Sequence, residues 1–358
     1  MDTITQLQYQ QWDFGDLVLK SRMLEAMKDS ASRYPICRSL RFAAREKLPE
    51  LFDRYATQPD WQAQRLNATY LLLEAEGVFI SAHGNWKSDY CSCSFTIWAD
   101  GIERAEAAIA RLSALAESSR IHDAMFSIDW HFLTSKGELE SAEIEELADD
   151  RLLEHAYPEI PGGVNAFIER YLDANETVLV VQGPPGTGKT RLIRAILGAM
   201  SRRRNGACRA LYTGDQKSLE NDEIFVKFIT GWDDAFVVED ADHLLKPRSE
   251  GNEHLHRFLT IADGVVRAQG RKIIFSTNLP NVGDLDDALI RPGRCFARLN
   301  IRELHPAEAA RVVDSLCPDD PERQARIRAR LDGLQRRTVS LASVYSAVAR
   351  DAEANPAV

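Results

Sequence analysis

Apolar positions along the 358-residue chain follow two regimes, with the change near residue 150. In the first, residues 14–33 and 36–55 carry apolar side chains at helical spacing: Leu17, Met23, Leu24 and Met27, then Leu40, Leu48, Leu51 and Phe52. Two amphipathic helices are expected there. Tyr70 to Ile80 and Tyr90 to Trp98 read as strands, separated by the turn-rich run from His83 to Asp89. The alanine-rich stretch Ile102 to Leu115 reads as a helix. Phe126 to Phe132 alternates strictly, setting Phe126, Ile128, Trp130 and Phe132 on one face, and Ser135-Lys136-Gly137 turns the chain into a polar strand toward Ile144. These elements sum to a separate α+β N-terminal domain over residues 1–150.

The second regime begins after the acidic stretch 138–150 and the turn-rich linker His155 to Gly163. Strand and helix then alternate. Strands are expected at Thr177 to Gln182, Ala207 to Tyr212, Ala235 to Val238, Lys272 to Ser276 and Ala297 to Leu299. Helices are expected at Arg191 to Leu197, Asp222 to Ile229 and Glu253 to Arg267. A βαβα order implies a three-layer α/β fold, a parallel sheet with helices on both faces, over residues 151–304. Residues 305–358 turn helical, with candidates at 306–316, 321–334 and 339–352.

Between the first strand of this sheet and its helix lies Gly183-Pro184-Pro185-Gly186-Thr187-Gly188-Lys189-Thr190, which meets the spacing G-x-x-x-x-G-K-[ST]. Strand, glycine-rich turn and helix make a phosphate cradle. The glycines let backbone N–H groups approach the phosphates, and the helix N-terminus adds its positive dipole end. Lys189 would reach the β- and γ-phosphates and Thr190 would ligate Mg²⁺. The chain is thus expected to have a P-loop NTPase fold that binds a nucleoside triphosphate.

Composition narrows the setting. The chain is 44% hydrophobic and 27% charged, with a net charge of −10. That acidic balance argues against a large nucleic-acid footprint, and the tight basic run Arg202-Arg203-Arg204 reads as a solvated helix end. No apolar run has the length of a membrane span and no signal pattern opens the chain, so a cytoplasmic protein is expected. Six scattered cysteines do not suggest a disulfide framework.

Phosphate loops serve many activities, and four further features narrow the choice. Glu239 and Asp240 close the strand Ala235 to Val238, where a parallel sheet presents groups to a ligand; there they could hold Mg²⁺ and polarise water. Asn278 follows the strand ending at Ser276, placing a neutral amide beside the γ-phosphate. Arg291 and Arg294 stand on the stiff turn Leu285-Asp286-Asp287-Ala288-Leu289-Ile290-Arg291-Pro292-Gly293-Arg294. The strings GPPGTGKT, FVVEDAD (236–242), STNLP (276–280) and LDDALIRPGR (285–294), in that order, resemble the AAA family of ATPases.

That resemblance implies that Lys189 and Thr190 serve phosphate and Mg²⁺, with Glu239 and Asp240 as the acidic pair. It also implies that Asn278 is the sensor and that Arg291 and Arg294 are arginine fingers reaching a neighbouring subunit's ATP. Head-to-tail contacts of this kind close into a ring, most often a hexamer, and the C-terminal helices would form the family's lid. The order Glu239-Asp240 reverses the family's usual Asp-Glu and resembles its BCS1-like branch, whose membrane helix is absent here. The shorter Asp240 should make hydrolysis slow. Thr213 to Glu220 lacks an aromatic pore loop, and Val339 to Ser343 lacks a second-sensor arginine.

Other constellations carry less. Cys91 and Cys93 near His83 lack a second ligand pair and read as core. His254 and His256 diverge on a helix, Trp98 and Trp130 read as core aromatics, and Glu145-Glu146 with Asp149-Asp150 read as a solvated charge run. The leading expectation is a Mg²⁺-dependent ATPase that remodels a protein client held by its N-terminal domain. The alternatives are a nucleic-acid-associated loader and an ATP-dependent assembly switch.

Overall fold

The computed structural model describes residues 17–28, 33–87, 89–123, 125–148, 152–204, 208–246, 255–258, 270–280, 286–289 and 291–354. The chain divides into two units between Met125 and Phe126.

The first unit contains helix α1 (residues 17–28), β1 (Ile36–Ala44), α2 (Leu48–Ala56), β2 (Gln62–Arg65), β3 (Tyr70–Ala75), β4 (Val78–Trp86), β5 (Cys91–Ala99), α3 (Ile102–Ala116) and β6 (Arg120–Ile121). Its strands form one antiparallel sheet in the order β2-β3-β4-β5-β1-β6. Period-two alternation divides the strand side chains between two faces. Leu71, Leu73, Ile80, Phe95 and Ile97 pack with Leu51 and Phe52 of α2 and Leu112 of α3, whereas Tyr70, Leu72 and Phe79 pack with Leu19 of α1.

Two expectations fail here. Residues 36–44 are a strand and not a helix, because nine consecutive pairs with β5, from Ile36↔Ala99 to Ala44↔Cys91, outweigh a marginal helical spacing. Tyr70 to Ile80 is two strands turning at Glu76 and Gly77, and β4 runs on to Trp86 because Gly84, Asn85 and Trp86 still pair with Cys93, Ser92 and Cys91. Cys91 and Cys93 are buried on the core face, as expected of small apolar residues, and Trp98 is partly buried.

The second unit contains β7 (Met125–Leu133, beginning at the division), β8 (Leu139–Leu147), α4 (Val164–Asp173), β9 (Val178–Gln182), α5 (Lys189–Arg203), β10 (Cys208–Thr213), α6 (Asp222–Thr230), β11 (Ala235–Val238), α7 (Asp242–Leu245), α8 (residues 255–258), β12 (Lys272–Thr277), β13 (Cys295–Asn300), α9 (Pro306–Leu316), α10 (Pro321–Asp332) and α11 (Leu341–Ala354). The seven-stranded sheet runs β13-β9-β12-β11-β10-β7-β8. The six strands from β13 to β7 pair in parallel. α4 packs on α5 over one face, and α6, α7 and α8 supply Phe225, Phe228, Leu245 and Phe258 to the apolar layer on the other. Of the helix expected from Glu253 to Arg267, all but residues 255–258 lies outside the described residues, as do Leu285 and Ile290.

The expected division at residue 150 is thereby corrected. β7 belongs to the parallel sheet, paired with β10 from Phe126↔Cys208 to Trp130↔Tyr212, and β8 follows it as the edge strand. The strict alternation was read correctly as a strand, but the buried face is the polar one: Ser127, Asp129 and His131 are at most 2% exposed, whereas Trp130 is 45% exposed. Partners on β10 and α6 make this possible. Asp129 accepts from Lys227 Nζ at 2.7 Å and Arg209 Nη2 at 3.0 Å, so its charge is paired inside. Nor are the charge runs free in solvent. Arg203 pairs with Glu169 and Asp173, Arg204 with Asp234, and Glu146 with Arg194, while Glu145 is buried; Asp149 and Asp150 lie outside the described residues.

Candidate functional site

The parallel sheet ends its central strands β9, β11 and β12 at one edge, and their C-terminal residues meet there. After β9 the chain must turn sharply past the end of β13. At Gly183 a Cβ would sit 2.0 Å from the Ile301 carbonyl oxygen, so no side chain fits. Gly188 holds φ at +98° as the residue that opens α5, where a Cβ would press on Leu341 and the Tyr157 hydroxyl. The loop's glycines thus permit a curve that leaves the N-terminus of α5 facing into it.

Lys189, the first residue of α5, folds back into that curve. Its Nζ donates to Gly183 O at 2.8 Å, Pro184 O at 3.1 Å and Asn278 Oδ1 at 2.8 Å. Burial pushes its ammonium pKa down, while Asp240, Asp242 and Glu239 pull it back up. The cation is held at the mouth of the loop by three acceptors that bear no formal charge. Thr187 Oγ1 donates to Pro184 O at 2.8 Å and stiffens the same curve.

Glu239 and Asp240 follow the fully buried β11. Glu239 accepts on Oε1 from Thr190 Oγ1 at 2.6 Å and on Oε2 from Tyr212 OH at 2.7 Å. Asp240 has φ of +49°, a left-handed value uncommon for residues with a Cβ, though aspartate adopts it more readily than most. Its Oδ1 accepts from Asn278 Nδ2 at 2.9 Å, and its backbone N–H donates to Ser276 Oγ at 3.2 Å. Asn278 is itself fixed by Asp242, whose Oδ1 accepts from the Asn278 N–H at 2.8 Å and from Thr277 Oγ1 at 2.6 Å.

Pro185, Gly186, Gly188, Lys189, Thr190, Glu239, Asp240 and Asn278 line one cavity of about 520 Å³. That volume lies within the range of small-molecule and cofactor sites. α11 completes the wall with Leu341, Ala342 and Tyr345, and the Ala342 N–H donates to Gly186 O at 2.9 Å. Arg191 of α5 lies over the Tyr345 ring at 4.2 Å. Hard oxygen donors, Thr190 and Glu239, adjoin each other, which suits Mg²⁺. Among the described residues no group of three or more His, Cys, Asp or Glu is placed to hold a metal, so a magnesium here would take further ligands from phosphate and water.

The two arginines do not line this cavity. Arg291 is exposed, whereas Arg294 is buried and donates to the Ala288 carbonyl. Sequence reasoning missed Tyr212, Arg191, Tyr345 and Ser276. Tyr212 and Ser276 stand on strands whose apolar runs read as core, and Tyr345 stands on a helix distant in sequence.

Residues 179–303 match the profile of the ATPase family associated with various cellular activities, AAA. The chain therefore contains an AAA ATPase domain. Its AAA module is the parallel sheet with the loop and carboxylates just described. An AAA-ATPase of Arabidopsis thaliana is 34% identical over 143 residues, covering 36% of this chain and 30% of the relative. A protein of Rothia mucilaginosa described as an AAA ATPase forming ring-shaped complexes is 25% identical over 209 residues, covering 50% and 32%. A proteasome-associated ATPase of Pseudarthrobacter chlorophenolicus is 25% identical over 297 residues, covering 67% and 49%. The chain therefore spans between about a third and a half of the length of these relatives. β7 and β8 lie outside the matched residues and extend the AAA sheet by two strands. No helix among the described residues is long and apolar enough to cross a membrane.

Proposed function

We propose that this chain binds ATP with Mg²⁺ in the cavity beneath α11 and hydrolyses it, within a ring in which a neighbouring subunit completes the site. The observation that carries the reading is the meeting of Lys189, Thr190, Glu239, Asp240 and Asn278 around one cavity, joined by direct hydrogen bonds. Lys189 would bind the β- and γ-phosphates from the position its three acceptors now hold. Bound Mg²⁺ would neutralise phosphate charge. Thr190 and Glu239 would hold that ion, Asp240 would accept the proton of the attacking water, and Asn278 would orient that water while linked to Asp240. A carboxylate one methylene shorter than glutamate, on a strained backbone, supports slow turnover.

Arg291 is the finger this reading favours, because it is exposed while Arg294 is bound to its own turn. The ring draws support from relatives described as forming ring-shaped complexes. The segment after β10 supports remodelling without threading: Asp215 accepts from Leu133 N–H, Lys217 N–H and Ser218 Oγ, which pins the short helical turn Gln216–Glu220 in place of a free loop. The N-terminal unit would contact the protein client.

Lys189→Ala should abolish nucleotide binding and turnover. Arg291→Ala should reduce turnover by about 10³-fold or more while leaving nucleotide affinity near normal. Mixing the two variants should restore activity, because each Lys189→Ala subunit offers an intact finger to an intact loop. Mixed rings that form and stay inactive would remove the shared site from this account.

A further inference from the structure

Tyr212 lies on β10, the strand on the far side of β11 from the phosphate loop, and no motif includes it. Its hydroxyl nevertheless donates to Glu239 Oε2 at 2.7 Å, opposite the Thr190 hydroxyl on Oε1 at 2.6 Å. One hydroxyl alone leaves a carboxylate free to turn about its own axis. Two, on different oxygens, from different elements, fix its plane. The ring that carries the Tyr212 hydroxyl is itself held: Trp130 is its register partner on β7 and meets it edge to face, with centroids 5.6 Å apart and planes at 85°. Burial and the neighbouring Glu239 both raise the phenol pKa.

We propose that Tyr212 is a positioning residue for the metal-binding carboxylate Glu239, braced by Trp130 on the strand that begins where the N-terminal unit ends. This deepens the proposed function and rests on it, since it gives Glu239 a role toward Mg²⁺. Trp130 stays 45% exposed, so the brace faces solvent at the outer part of the sheet and a bound partner could reach it. A tyrosine that only satisfied its own buried hydroxyl would matter for stability alone. One that orients Glu239 matters for the metal.

The test is nucleotide binding followed with a fluorescent ADP across a Mg²⁺ titration, on the full chain, beside steady-state turnover. Tyr212→Phe keeps the ring and removes the hydroxyl. It is expected to raise the Mg²⁺ concentration at half-effect about tenfold and to lower kcat, with nucleotide affinity in EDTA unchanged. Trp130→Leu keeps the hydroxyl and removes the brace, and should shift the Mg²⁺ half-effect in the same direction by about threefold. In a Glu239→Gln background the Tyr212→Phe shift should shrink to near nothing, because the pair acts as one unit. A normal Mg²⁺ half-effect in both Tyr212→Phe and Trp130→Leu, with Glu239→Gln strongly shifted, overturns this inference and leaves the proposed site intact. An unshifted Glu239→Gln overturns the site reading itself.

Discussion

At the scale of single residues, Asp240 is the most constrained member of the site. Its φ of +49° is expected to cost on the order of 1 kcal/mol or more for a residue with a Cβ. Asparagine tolerates that region and keeps the shape, so Asp240→Asn should leave the melting temperature near that of the parent while reducing ATP turnover. Asp240→Ala should lose turnover too, and in addition about 1 kcal/mol of stability by denaturant unfolding. Equal melting temperatures for the two variants would separate the strain from the backbone position. The meeting of Lys189, Thr190, Glu239 and Asn278 around one cavity was legible because the motifs set these residues at fixed offsets from strand ends. The hydrogen bond of Tyr212 to Glu239 was not, because it arises from which strand lies beside β11, and the spacing along the chain does not encode that.

At the scale of elements, α9 shows how a helix terminus is tied to the sheet before it. Glu308 accepts two hydrogen bonds from Arg302 at 2.8 Å each and one from the His305 N–H at 2.8 Å, closing a capping box. The Arg302 guanidinium holds the Glu308 pKa down at about 2, against the opposing effect of burial. A carboxyl lowered on folding contributes stability that is present above its ordinary pKa and is lost as pH falls toward 2. Glu308→Gln should therefore lower stability by about 1–2 kcal/mol at pH 7. The gap to the parent should close as pH falls from about 4.5 toward 2, read by thermal unfolding across that range. Elements whose apolar period matched their final environment, such as α3 and β9, were placed correctly from the pattern. Residues 36–44 were not, since a short segment with both periods available takes the one its neighbours impose.

At the scale of the whole molecule, the position of the division decides what can be cut. A chain cut at the boundary read from sequence, keeping residues 151–358, would remove β7 and β8 and leave β10 as a bare edge beside Arg209 and Lys227, without Asp129 between them. That fragment is expected to aggregate. A chain of residues 126–358 keeps the full seven-stranded sheet and should stay soluble and bind ATP. Size-exclusion chromatography with a nucleotide-binding assay distinguishes the two, and equal behaviour of both fragments would make the two outer strands dispensable.

The sequence by itself determined the phosphate loop, the acidic pair, the order of the strands from β9 to β13, and the AAA domain they form. These are local matters: a turn needs its glycines within a few residues, and a βαβ unit can close only one way. Tertiary structure alone decided that β7 joins the second sheet with its polar face inward, that Arg294 turns to its own backbone while Arg291 stays exposed, and that Tyr212 holds Glu239. Each of those depends on a partner far away in sequence. A buried charge or hydroxyl is stable only beside its counterpart, and the fold is what brings the counterpart there.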